Sequence, residues 1–587
     1  MKSGTDSPIA RNFAGFMGSN DRTYVLIILL FILLGLSLKF YLLFRCPVNQ
    51  DEFLYLSGVH AYERGALSLT FQSLHVHFFG WLDAFSNNEV TQVMVARSVM
   101  FLFFLGTCAY LFLLGLCFLH VLGALFCVLC YIAFLFTITN GASFRSDTVA
   151  TFLSMLALYQ FVVKEESPAS NALAGLAMAL ACLFTIKAGM YLILFIPLSL
   201  IRLRASQNSL RSLKHTSYFA VALILGFIAI YGLHAATFPD SNLGNQAGFL
   251  GSTFSTFITF ERFFPALEYF LLTLRTDRVI WLLMLFGFCV YVFDLLRRKH
   301  YVKGHAAYLL IMLVPLLSLL IYRNAYPYFY VFLMPSATLF CGYGFCRLIS
   351  TVKQANQRLS IILASVLTIL VFQNFILFWP FLSRRAAQTT AAQHDLLSEI
   401  HKMFPDPVPY IDGCSMVSSF PKVGFYMCSA DMGRYLEANE PIIKRMLAQK
   451  KPVFLLANVP HLDLRCEGPP VSVRGQSLMK EDWAALKSCF IHHWGPIWVA
   501  GKRFDVGSED AIRPFEIIPG PYTVEGGADF LIDGTLHHSG DVMQLKQGTH
   551  TIQVQSAGVT IKLRWGEHLY RPKKRLNAAD FFLGPLL

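Results

Sequence analysis

Charge is what this sequence has least of. Of its 587 residues only 14% are Asp, Glu, Lys or Arg, while 55% are hydrophobic, and the mean hydropathy is +0.52. That scarcity excludes an ordinary soluble protein, because one or two cores cannot hide so much apolar surface. Also missing is any Cys/His spacing of the kind that holds structural zinc, although there are 13 cysteines. His492 and His493 read as a solvated surface pair. No internal repeat relates one half of the chain to the other, as transporters usually show. No small-residue cleavage pattern follows the first apolar run, Thr23 to Phe44, which is longer than a signal-peptide core of ~7–15 residues, so it is expected to be a retained first membrane helix. The charge that is present is lopsided, 48 Lys and Arg against 36 Asp and Glu for a net +12. Much of the excess lies in short loops between apolar runs, the pattern of cytoplasmic loops rather than of nucleic-acid binding.

What is there, in quantity, is apolar runs of membrane-spanning length. About eleven are predicted, at 23–44, 93–117, 120–139, 148–163, 171–186, 188–201, 217–236, 279–296, 306–322, 330–348 and 359–380. The fifth and sixth are short and meet at FTIKAGMY, as a re-entrant pair or as two tilted half-spans. With the N-terminus inside, the cytoplasmic loops carry Arg202, Arg204, Arg211 and Lys214, then Arg297, Arg298, Lys299 and Lys303, then Arg347, Lys353 and Arg358. This satisfies the positive-inside rule. An odd number of spans places the loop 45–91 and everything after Pro380 on the outer face.

The outer tail changes character. VPYIDG, KPVFLLANVP and GPIWVAG read as short buried strands between the helical stretches EPIIKRMLAQK and KEDWAALKSCF, which predicts a small α/β unit over 386–510. Beyond it the period becomes two. In VTIKLRW, Val559, Ile561, Leu563 and Trp565 face one way while Thr560, Lys562 and Arg564 face the other. FLIDGTL carries an Asp-Gly turn and KQGTHTIQV continues the alternation. A β-sandwich is therefore expected over 511–587. Cys414, Cys428, Cys466 and Cys489 lie in this tail, an even number that permits disulfides with three possible connectivities.

Once the positive-inside rule has accounted for the cytoplasmic cations, those on the outer side need another reason. Arg97 lies near the outer end of the second span, Arg145 and Asp147 in NGASFRSDTVA, Lys187 at the tip of the fifth and sixth spans, and Arg323 in YRNAYPYFY. His75 and His77 occupy LHVHFFGW in the first outer loop, which opens with the adjacent carboxylates Asp51 and Glu52. Singly, each has a bland account: arginines at helix ends snorkel, Asp147 caps a helix, a histidine pair is structural, an acidic pair is a solvated loop. Together they suit one reaction class. A phosphate leaving group needs cations where charge develops, and an acceptor hydroxyl needs a carboxylate base.

A first span followed by NQDEFLYLSGVHAYERG resembles the C-type superfamily of polyprenol-dependent glycosyltransferases. The resemblance is to the branch containing protein O-mannosyltransferases and the aminoarabinose transferases that modify lipid A. It continues through MVARSVMFLF, FRSDTVATFLSMLAL, LACLFTIKAGMYLILFIPL and YRNAYPYFYVFLMP, over most of the first 380 residues. It implies a transmembrane catalytic domain (1–385) that passes a sugar from a polyprenyl phosphate to a hydroxyl of a lipid, glycan or protein, with inversion at the anomeric carbon. Asp51 is then the expected general base. Glu52 is its partner, orienting the acceptor or holding a divalent ion (Mg, Mn or Zn) with Asp51. Arg145, Lys187, Arg323 and Arg97 are expected at the donor phosphate, and Asp147 and Tyr55 at the sugar or acceptor. Where relatives carry a Lys- or His-Pro-Pro stretch, this chain has SLHVHFFG, which makes His75 and His77 the candidates to replace it. The expected location is a bacterial inner membrane with the tail in the periplasm, among membrane lipids. Two other classes stay open: a flippase or transporter of lipid-linked sugars, and a glycan-binding assembly scaffold.

Overall fold

A computed structural model of the protein describes residues 21–163, 167–205, 209–238, 263–297, 305–380, 386–427, 430–472, 475–505, 512–554, 558–574 and 576. Among these, seven helices are long and apolar enough to cross a membrane. The pair Pro327–Ala337 and Leu339–Ala355, bent by 49°, makes an eighth. Shorter apolar helices at Val121–Ala133, Pro168–Phe184 and Ala307–Leu320 account for the remaining predicted spans. The chain is a multi-pass membrane protein. Arg298, Lys299 and Lys303 lie outside the described residues.

The helices that matter for the site are α1 (Asp21–Leu43), α2 (Gln50–Glu63), α3 (Glu89–Phe118), α4 (Val121–Ala133) and α5 (Ser146–Val163). Helix α4 is apolar on every side because it is enclosed on every side. It packs against Leu339–Ala355 so closely that a Cβ on Gly342 would collide with the Gly123 carbonyl oxygen, which is why small residues stand there. Other helices turn apolar faces outward. Ile224, Leu225, Ile228 and Leu233 of Ser209–Ala235 are exposed, as are Leu282, Leu285 and Phe293 of Arg278–Arg297, and lipid is the solvent that suits them.

The third span breaks at Phe134, and the freed backbone groups find partners inside the protein, as groups away from water must. Asp277 accepts from the Leu135 amide at 2.9 Å and from Asn374 Nδ2 at 2.6 Å. Lys39, fully enclosed within α1, donates to the carbonyls of Thr137 and Ile138. The fifth and sixth spans meet at an extended Thr185 followed by the 3-10 turn Ile186–Ala188, which puts Lys187 at their junction.

The tail holds strands β1 (Tyr410–Ile411), β2 (Phe454–Leu456), β3 (Phe490–Trp494), β4 (Ile497–Asp505), β5 (Ile512–Glu516), β6 (Gly520–Gly526), β7 (Phe530–Ile532), β8 (Thr535–His537), β9 (Val542–Leu545), β10 (Thr549–Val554) and β11 (Thr560–Trp565). Seven form one sheet in the order β1-β2-β4-β11-β6-β9, with β3 also on β4, and four form a second, β5-β10-β7-β8. The boundary expected near 510 therefore does not separate two sheets. β11 pairs with β4 from Thr560↔Asp505 to Arg564↔Gly501, so the α/β sheet runs on into one face of the sandwich. Phe504, Phe515, Tyr522, Phe530, Ile552 and Leu563 fill the space between the sheets. Asp533 and Gly534 both take positive φ, 49° and 81°, the backbone that an Asp-Gly hairpin turn requires. Cys466 and Cys489 carry free thiols. The Cys414 sulfur lies 3.5 Å from Asn458 Nδ2, and Cys428 lies outside the described residues.

The tail is fastened to the loop 45–91. In helix Ala386–Met403, Gln393 bonds both backbone groups of Val48, at 2.9 and 2.8 Å, and His401 meets Glu89 at 3.0 Å. Ser418 Oγ donates to the Phe53 carbonyl at 3.0 Å. These contacts carry the segment 413–427 over the start of α2.

Candidate active site

The stretch NQDE builds the N-terminus of α2. Asn49 Oδ1 accepts from the amides of Asp51 and Glu52 at 3.0 and 3.1 Å, and Glu52 Oε2 accepts from the Asn49 amide at 3.1 Å. This capping box fixes the helix start. Successive helical side chains diverge by ~100°, and that divergence sends the two carboxylates to different surroundings.

Glu52 points inward and is fully buried. Arg97 of α3 grips it with two bonds, Nε to Oε1 at 2.8 Å and Nη2 to Oε2 at 2.5 Å, and the Phe144 amide adds a third at 2.8 Å. Burial alone would raise the Glu52 carboxyl, but Arg97 and the two backbone amides hold it below its ordinary value. Arg97 also donates to the carbonyls of Leu43, Cys46 and Pro47, at 3.0, 2.7 and 2.9 Å. A guanidinium has five N–H groups, and all of them now have acceptors. Arg97 thus has no donor to offer the phosphate expected of it; it ties the end of α1 to the start of α2.

Asp51 points outward, with its side chain 19% exposed. One oxygen pairs with Arg145 and the other accepts from Tyr426 Oη at 3.1 Å. Arg145 Nε lies 3.2 Å from Asp147 Oδ2, and Asp147 Oδ1 lies 2.6 Å from Lys187 Nζ. The result is a row of alternating charge, Asp51–Arg145–Asp147–Lys187. Tyr328 roofs it: its ring centroid is 3.5 Å from the Arg145 guanidinium carbon and 4.4 Å from Lys187 Nζ. Tyr55 lines the other side, with Oη 2.8 Å from Ser146 Oγ. Arg323 is exposed and, among the described residues, forms no ion pair with this row.

The acidic pair does not fit the divalent ion expected of it. Glu52 has both oxygens taken by Arg97 and backbone amides, and Asp51 turns the other way to Arg145 and Tyr426, so the two do not converge on one point as shared metal ligands must. The two histidines do not fit a cationic phosphate grip either. His75 is buried behind Tyr55, 3.1 Å from its carbonyl oxygen, and burial pushes its imidazole down to about 4. His77 is lowered as well by burial, and its Nε2 sits 2.7 Å from His234 Nδ1. Burial disfavours the charged form of both rings.

His75 also gives the fold a pH dependence. Its folded value lies below the ordinary ~6.5, so between about 6.5 and about 4 the unfolded chain binds more protons, and stability falls as pH falls. At about 1.4 kcal/mol per unit the whole descent is on the order of 3 kcal/mol. Melting curves between about pH 7 and pH 4.5 are expected to show this slope in the wild type and a flatter one in His75→Phe.

Sequence reading missed Tyr328 and Tyr426. The first sits in an aromatic run, YPYFY, where nothing local distinguishes it from its neighbouring tyrosines. The second is 375 residues from Asp51 and carries no local signal.

No family model matches the chain, and no curated protein matches it by sequence. Solved structures do. The oligosaccharyltransferase of Archaeoglobus fulgidus, in complex with zinc and sulfate, is 9% identical over 91% of this chain and 97% of its own, with a TM-score of 0.51. ArnT from Cupriavidus metallidurans, bound to undecaprenyl phosphate, is 14% identical over 73% of this chain and 92% of its own, with a TM-score of 0.48. At such identities the likeness is one of fold alone: a multi-pass helical membrane domain followed by a soluble tail, shared with the archaeal oligosaccharyltransferase.

Proposed function

We propose that the protein is a membrane glycosyltransferase that moves a sugar from a polyprenyl-phosphate donor to an acceptor hydroxyl at the outer face, with Asp51 as general base. The observation that carries this is the divergence of the acidic pair. Glu52 is sealed into an arginine clamp, while Asp51 stays partly open between Arg145 and a tyrosine of the tail. A base needs that openness, and it needs a cation beside it to stay ionised.

In the proposed reaction the acceptor O–H gives its proton to an Asp51 oxygen as the acceptor oxygen attacks the anomeric carbon. The bond from that carbon to the phosphate oxygen breaks on the opposite side, and the polyprenyl phosphate leaves with the electron pair. Lys187 and Arg145, both paired with Asp147 and both against the Tyr328 ring, are the cations suited to that developing charge. Asp147 spaces them, Tyr328 excludes water from their flank, and Tyr55 lines the sugar side. Arg323 is a further cation that a donor phosphate could reach from outside the row. The sequence resemblance supplies the donor class and the inverting outcome, because fold alone does not give function. The tail is proposed to face the periplasm of a bacterial inner membrane and to shape the acceptor side, through Tyr426.

Tyr426→Phe tests that last assignment. A hydrogen bond to a charged group contributes about 1.5 kcal/mol at the low end, so transfer of labelled sugar in lipid nanodiscs is expected to slow about tenfold. An unchanged rate removes the tail from the active site. A flippase of lipid-linked sugars also suits buried cations, but it has no use for a carboxylate held open at the outer surface. It predicts translocation with no new glycosidic bond.

A further inference from the structure

A second cluster lies in the same outer loop, away from the ion-paired row. His60 and Glu63 occupy the last turn of α2, and Asp83 the 3-10 turn Gly80–Ala84. His60 Nδ1 is 3.4 Å from Asp83 Oδ1 and 3.6 Å from Glu63 Oε2, and the ligand atoms of the three residues all lie within 4.8 Å of one another.

The hydrogen bonds around it fix the imidazole tautomer. Gln92 Nε2 donates to Asp83 Oδ1 at 2.8 Å and to the Ser86 carbonyl at 2.7 Å, both of them acceptors. The Gln92 amide oxygen must therefore be the atom facing His60 Nε2, at 3.0 Å, so Nε2 carries the hydrogen. Nδ1 is then the ring atom that faces the two carboxylates. One imidazole nitrogen and two carboxylates converging on one point form a set that a divalent cation would satisfy. A tetrahedral zinc ion with bonds of ~2.0–2.1 Å holds its ligands about 3.4 Å apart, close to the 3.4 and 3.6 Å that separate Nδ1 from the two carboxylate oxygens.

Two further features suit an ion there. Metal-bound imidazoles donate their second nitrogen to a fixed acceptor, and here Gln92, itself buried and anchored twice, is that acceptor. Room is also kept beside Glu63: a Cβ on Gly80 would sit 3.0 Å from Glu63 Oε1. His60 is 4% exposed against 34% for Glu63 and 53% for Asp83, so the point is closed on the imidazole side and open to water on the other.

We propose that His60, Glu63 and Asp83 bind one divalent ion of the zinc class, with water as the fourth ligand. One nitrogen and two carboxylates suit zinc better than magnesium. The ion ties the C-terminal end of α2, the helix that carries Asp51 at its other end, to the turn that precedes α3. The proposal is independent of the glycosyl-transfer reading.

The test uses the full chain in nanodiscs, stripped with a chelator and then dialysed against zinc chloride or magnesium chloride. One zinc per chain is expected by elemental analysis, retained against a magnesium excess. Asp83→Asn and Glu63→Gln, both at partly exposed positions, are expected to weaken zinc binding by about 100-fold or more, while Asp51→Asn keeps it. X-ray absorption at the zinc edge of the wild type, which needs no variant, should show a single imidazole nitrogen among oxygens. No retained zinc, wild-type affinity in both cluster variants, loss of zinc in Asp51→Asn, or a sulfur-rich edge spectrum would each overturn the proposal.

Discussion

Asp51→Asn is expected to slow sugar transfer by about a hundred- to ten-thousand-fold, the range that general-base catalysis contributes. It is expected to leave thermal unfolding close to that of the wild type. The asymmetry follows from what the amide keeps. The carboxamide oxygen of the variant would still accept from Arg145 while its NH2 turns to donate to Tyr426 Oη, and Arg145 would retain Asp147 and the face of Tyr328. What disappears is the capacity to take a proton. Initial rates in nanodiscs, read beside melting curves, measure both halves. A variant that loses transfer only because it unfolds would remove Asp51 from the chemistry.

Arg97→Leu should do the reverse, acting on the fold before it acts on the reaction. It strands the buried Glu52 carboxylate and removes the donor from the carbonyls of Leu43, Cys46 and Pro47. Breaking a buried pair by deleting one partner costs about 3–5 kcal/mol, a large fraction of the total for any domain. A steep loss of folded yield and a lowered melting transition are expected. Arg97→Lys keeps the charge but offers three donors in place of a planar fork of five, so it should fall between. An Arg97→Leu protein that melts like the wild type yet loses affinity for polyprenyl phosphate would restore the donor-binding role and contradict the clamp.

Those two variants mark how far the sequence could be read. The spans were legible because a run of apolar residues is a local property; each predicted stretch coincides with an apolar helix. The strands of the tail were legible from their period of two, since β11 buries Ile561 and Leu563. Their pairing was not, because the joining of β4 to β11 depends on residues more than fifty positions apart. Position along a span singles out the cations that basic loops do not explain, but not how many acceptors each already has. Arg97 and Arg145 look alike as letters. One has every N–H occupied by the protein, and the other stacks on Tyr328 beside Lys187. The acidic pair posed the same difficulty, because adjacency in sequence becomes divergence on a helix. Nor does a sequence show the burial that disfavours the charged forms of His75 and His77. Tyr426 enters the site only because helix Ala386–Met403 docks on Val48 and brings the tail with it.

The most direct test of the central claim follows a labelled sugar on a polyprenyl phosphate offered to the purified protein in nanodiscs with envelope acceptors. The product's anomeric configuration is determined for the wild type and for Asp51→Asn. A new glycosidic bond of inverted configuration in the wild type, lost in the variant, is the expected result. Transfer at equal rates in both proteins, or translocation of the donor without any new bond, would contradict it.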